Sequence, residues 1–123
     1  MGKGVVMDGM GEGTGARALS VVLRDAASVQ RYFMPRIRGG GVLVETPNLL
    51  PMGTEVLLMI SLPDNQPRAP VTGRVVWVMP KDNRDGYPAA MGIRFMNDRS
   101  GVLTRIQNIL SGLPDYAGPI LTF

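Results

Sequence analysis

The chain is 123 residues long, with 45% hydrophobic and 19% charged side chains, which suits one soluble domain with a modest core and excludes a disordered chain. It has no histidine and no cysteine, so the usual general base, a thiolate nucleophile, a disulfide framework and sulfur-ligated metal are all excluded. The net charge of +3 is mildly basic, and no apolar run approaches the roughly 20 residues that span a bilayer.

Residues 1–15 (MGKGVVMDGMGEGTG) are glycine-rich and without periodicity, so residues 1–16 read as a flexible tail outside the fold. Within them Gly11, Gly13 and Ala16 have the spacing G-x-G-x-x-A of a dinucleotide fingerprint. That fingerprint needs a strand before it and a helix after it, and no strand is predicted there. The start of the chain lacks the basic-then-apolar layout of a secretory signal, and a cytoplasmic location is expected.

A first strand is predicted over 17–24, with Leu19, Val21 and Leu23 alternating against Ala18, Ser20 and Val22. Residues 26–34 have helical or extended options, limited by Pro35, which pushes Met34 out of the α region. The stretch that organises the rest is 34–46 (MPRIRGGGVLVET), where three glycines follow two arginines and lead into a second strand at 42–45. Glycine permits positive φ and close backbone approach, so the triplet reads as a sharp turn into a sheet.

The third strand, 54–62, places Val56, Leu58, Ile60 and Leu62 on one face and Leu57 and Met59 on the other. The fourth, 71–79, puts Val71, Gly73, Val75, Trp77 and Met79 in one row. A polar loop follows to Pro88, and a fifth strand, 89–96, alternates Met91, Ile93 and Phe95 with Gly92, Arg94 and Met96. The period then changes. Asn97 or Asp98 can cap a helix in which Val102, Ile106, Ile109 and Leu113 recur, beside Leu103 and Leu110, with Gly112 at its end. Five strands, short turns and a closing helix predict a small antiparallel β-barrel with a C-terminal α-helix, for which OB-like and SH3-like barrels are the physical rivals.

Chemistry is scarce along this chain. Asp64, Asp82, Asp85 and Asp98 fall on turns, where Asp is favoured for backbone reasons, and the serines lack an identifiable base. No enzyme is expected, and no cofactor or metal. Arg31, Arg36, Arg38, Arg68, Arg74 and Arg94 could form the basic surface of a nucleic-acid barrel, but aromatic residues for base stacking make up only 6% of the chain. A protein partner is the other option: Tyr32, Phe33 and Trp77 are hot-spot residue types, although Trp77 and Phe33 also fit a core. The tail 114–123 is apolar, with Tyr116, Ile120, Leu121 and Phe123, and is expected to pack on something.

The runs YFMP and GGGVLVET, LPMGTEVLLMISLPDN, PVTGRVVWVMPK and AAMGIRFMND, in that order, resemble a PilZ domain, and within that family its type IV pilus assembly branch. The resemblance covers about residues 19–112 and implies a PilZ-type barrel over 17–113, between the tails 1–16 and 114–123. Many PilZ domains hold cyclic di-GMP through R-x-x-x-R and D/N-x-S-x-x-G motifs. With Gly41 as the last glycine of the second motif, Arg36 stands at the acid or amide position and Arg38 at the serine position. Upstream no two arginines are four apart, since Arg24 is followed at that distance by Ser28 and Arg31 by Pro35. The paired guanidinium clamp is therefore missing. The resemblance implies an adaptor for type IV pilus biogenesis and twitching motility, contacting the assembly ATPase PilB and the GGDEF–EAL protein FimX. It would use Tyr32, Met34, Pro35 and the tail residues Tyr116, Ile120 and Phe123 as exposed anchors, with Trp77 a further partner-binding candidate, without nucleic acid or membrane insertion. A cyclic di-GMP receptor is the alternative.

Overall fold

Alternation with period two builds a sheet from most of the chain, and the computed structural model describes residues 4–9 and 17–113. Its strands are β1 (Gly4–Gly9), β2 (Arg17–Leu23), β3 (Gly41–Glu45), β4 (Glu55–Ser61), β5 (Ala69–Met79) and β6 (Ala90–Asn97). The helices are α1 (Ala26–Tyr32), between β2 and β3, and α2 (Val102–Ser111), after β6. The sheet runs in the order β1-β2-β4-β5-β6-β3 and curls until its two edge strands approach one another. The expected small, mainly β barrel with a C-terminal helix is thus present as a curled half-barrel. All pairs are antiparallel except β2 with β4, which the α1 and β3 crossover makes parallel.

Part of the expected tail is a strand. Backbone pairing of β1 with β2 runs from Gly4↔Leu23 to Gly9↔Ala18, so glycine-rich composition masked an edge strand that borrows its order from β2. The fingerprint residues Gly11, Gly13 and Ala16 lie outside the described residues, and the element that follows them, β2, is a strand where a nucleotide fold needs a helix.

The inward rows make the core: Leu19, Val21 and Leu23 of β2, Val56, Leu58 and Ile60 of β4, and Met91, Ile93 and Phe95 of β6 are buried. Onto it α2 lays Val102, Ile106 and Leu110, the middle of its apolar stripe. The helix is anchored at its start by Asp98, whose carboxylate oxygens accept from the backbone N–H groups of Val102 (2.7 Å) and Leu103 (2.9 Å). Arg105 then ties it to the β4–β5 turn, donating to both carboxylate oxygens of Asp64 at 2.7 Å and to the Pro67 carbonyl at 3.2 Å. In α1 the Asp25 side chain accepts from Ser28 N–H at 2.8 Å, which holds its carboxyl below the usual range. That helix stops at Tyr32, two residues short of the restriction imposed by Pro35.

One expected row breaks. Val71 and Val75 point into the core, but register slips between Val75 and Trp77 leave Val76 as an extra residue. The slip falls level with the start of β4: the turn before β4 makes the last bonds on that side to Val75, through Gly53 N–H (2.7 Å) and the Thr54 carbonyl (2.9 Å). Beyond that point β5 pairs with β6 alone and is free to bulge. Trp77 and Met79 therefore emerge on the outer face, half-buried, and Val78 packs inward in their place.

Candidate functional site

The outer face of β3, β6 and β5 is shaped by which side chains share a row. Leu43 pairs across Gly92 to Trp77, and Glu45 across Ala90 to Met79. The middle strand thus contributes the two smallest side chains available, and its neighbours contribute large ones. A trough results, with β6 as floor. The strictness of the floor shows at Gly92: a Cβ there would stand 3.0 Å from Met34 Sδ and 3.2 Å from Trp77 Cβ.

Two loops raise the remaining walls. After α1 the chain crosses the β3 edge, where Phe33 bridges to Val42 and Met34 N–H donates to the Gly41 carbonyl at 2.9 Å. Met34 then lies over Gly92, and Arg36 and Ile37 follow along the rim. The turn closes through Gly40 N–H on the Ile37 carbonyl at 2.7 Å, with Gly39 and Gly40 at φ +80° and +86°. Gly41 must lack a side chain for a different reason, since a Cβ would lie 2.6 Å from the Ile93 carbonyl oxygen. On the opposite side the β5–β6 loop brings up Tyr87 and Pro88. Asn83 clasps that loop: its amide donates to the Pro80 (3.0 Å) and Tyr87 (2.7 Å) carbonyls, and its oxygen accepts from Tyr87 N–H at 3.0 Å.

The groove so enclosed measures about 670 Å³ and is lined mainly by apolar side chains. Its charged residues are Arg36 and Glu45, so its formal charge cancels. The Glu45 carboxylate accepts from the Tyr32 hydroxyl at 3.2 Å. Burial, and then the negative charge of Glu45, push the Tyr32 phenol above its ordinary pKa, while Arg31 stacks 5.5 Å from the ring centroid. Among the described residues no group of three acidic side chains could hold a metal ion, and no helix is long and apolar enough to cross a membrane.

This geometry resolves the fate of each expected anchor. Trp77 lines the groove, and Pro35, between the lining residues Met34 and Arg36 in sequence, is half-buried. Tyr32 and Met34 were expected to be exposed, and the structure corrects both: each keeps only 2% of its surface. Tyr32 faces inward because α1 puts it on the same side as Val29, and Met34 is covered because Gly92 leaves room for it against β6. Tyr116, Ile120 and Phe123 lie outside the described residues. Of the degenerate motif positions, Arg36 reaches the groove, exposed Arg38 sits in the turn without lining it, and Gly41 is buried at the start of β3.

The sequence comparison agrees with this frame: the sequence model of the PilZ domain matches residues 16–112. The chain belongs to the PilZ domain family. Comparison with curated proteins finds no match. In this PilZ domain the residues that sequence reasoning missed are Leu43, Glu45, Met79 and Tyr87, which share the groove with Trp77. The available signal was the outward pair Ala90 and Gly92, two small side chains in a strand flanked by large ones. The bulge that turns Trp77 toward them has no signature in the alternation.

Proposed function

We propose that this PilZ domain is a cytoplasmic adaptor in type IV pilus biogenesis that works through protein contacts and does not bind cyclic di-GMP with high affinity. The observation that carries this reading is the charge of the groove. A ligand with two phosphates calls for paired guanidinium groups, and Arg36 stands there opposite Glu45 while Arg38 points elsewhere. The positions that supply an acid or amide and a serine in nucleotide-binding relatives are arginines, which have no acceptor to offer.

What the groove does offer is the composition of an interface core: an exposed Tyr, a half-exposed Trp, methionines and one arginine. By family resemblance the partners are the assembly ATPase PilB and the GGDEF–EAL protein FimX. Co-purification of the domain with each tests this. Trp77→Ala and Met79→Asp are expected to reduce capture of at least one partner by about tenfold or more while the domain stays folded. Undiminished capture of both by both variants would refute the assignment.

A further inference from the structure

Resting on the adaptor reading, we infer that the groove on β3, β6 and β5 takes an extended apolar protein segment that carries an acidic side chain, and that Asn83 and Tyr87 set which segments fit. Three observations converge on this occupant. The floor of Gly92 and Ala90 leaves a trough of about 670 Å³ between Trp77 and Leu43, lined mainly by apolar side chains. The two charges on its walls are not equivalent. Glu45 already accepts from Tyr32, whereas exposed Arg36 makes no hydrogen bond or ion pair among the described residues. Arg36 is therefore the charged group whose donors stand open to a partner, and an incoming carboxylate complements it.

The third observation is preorganisation. Tyr87 is 59% exposed, an unusual state for a large aromatic side chain in a small domain. It stands at the end of a loop whose backbone is fixed on both sides by one amide, Asn83, with Asp82 and Gly86 held at positive φ of 62° and 72°. A wall that is already in place does not have to be ordered when a partner arrives, which favours binding. Tyr87 contacts the occupant, and Asn83 is a positioning residue acting through it. A dinucleotide fits these facts poorly, because its two phosphates call for paired cations and the groove has one, and a purely apolar segment would leave Arg36 unanswered.

The test is selection of displayed random dodecapeptides on the immobilised full chain. The expected consensus holds at least two large apolar residues and an Asp or Glu at fixed spacing. Arg36→Glu is expected to exchange that acid for Lys or Arg, since specificity follows the sign of the charge at the rim. Tyr87→Ala and Asn83→Ala are each expected to weaken the selected peptide about tenfold, with Tyr87→Phe close to the parent and the circular dichroism of all variants unchanged. No enrichment on the parent chain, a consensus indifferent to Arg36→Glu, or a consensus reproducing the chain's own YAGPILTF run would each overturn the proposal, the last by giving the groove to its own tail. The two readings fail separately: tight cyclic di-GMP binding would defeat the adaptor reading with any peptide consensus intact, and a failed selection leaves co-purification of whole partners to stand by itself.

Discussion

Gly41 and Gly92 both sit where a methyl group collides, yet they do not carry the same cost. At Gly41 the obstacle is the Ile93 carbonyl, 2.6 Å from the added Cβ, and the backbone of β6, paired on both sides, cannot step aside. At Gly92 the nearest atoms are the Sδ and Cε of Met34, the far end of the most adaptable side chain. Gly41→Ala is therefore expected to destabilise by about 2–3 kcal/mol and Gly92→Ala by about 1 kcal/mol or less, measured by denaturant unfolding. Equal losses would contradict the close approach of β3 to β6. The same reasoning separates Tyr32 from Trp77. Removing the buried ring of Tyr32 is expected to cost about 3–5 kcal/mol of folding stability, which makes Tyr32→Ala unsuitable as an interface probe. Trp77→Ala is expected to cost about 1 kcal/mol of stability and ~2 kcal/mol of partner binding. Sequence alone exposed the residue types but could not tell these two aromatics apart, because one is placed by a helix face and the other by a bulge.

Elements were legible wherever one period runs unbroken. The alternation in β2 and β4 places their buried residues correctly, because each buries a single face. By contrast, β6 buries Ala90 and Gly92 as well as its inward row, and α2 buries Leu110 where the expected row has Ile109. The reading failed at β1, whose glycines give no period, and in the second half of β5, where the face reverses after Val75. The attachment of α2 also escaped, since Asp64 and Arg105 are 41 residues apart. Both side chains of that pair are less than one-fifth exposed, at 19% and 18%, so it belongs between a solvated surface pair and a buried one. Arg105→Gln is expected to cost about 1–2 kcal/mol at neutral pH. Asp64 carries the pH dependence: hydrogen bonds from Arg105 hold its carboxyl below the usual range. A depressed carboxyl stabilises the fold above its unfolded value of about 3.9, and this contribution is lost as pH falls through the lower folded value. Acid unfolding of the parent below pH ~4 should therefore be steeper than that of Arg105→Gln. Parallel curves would contradict the pairing. At the other anchor, Asp98→Ala removes the acceptor for the first two N–H groups of α2 and is expected to cost about 1–2 kcal/mol.

At the scale of the whole molecule, a curled sheet with its inner face filled by core and helix has only its outer face left for work. The six-strand order brings β3 beside β6 although they are distant in sequence, and that adjacency assembles Leu43, Glu45, Trp77 and Met79 into one groove. No local pattern announces such a site; it exists because two strands that read as independent become neighbours. The turn of residues 36–41 lands at its rim and contributes one cation opposite one carboxylate, where a ligand with two phosphates calls for paired cations. Isothermal titration of the purified full chain with cyclic di-GMP addresses that difference most directly. The account expects no saturable heat up to about 100 μM ligand. Saturable binding at micromolar affinity or tighter, abolished by Arg36→Ala and Arg38→Ala, would contradict it.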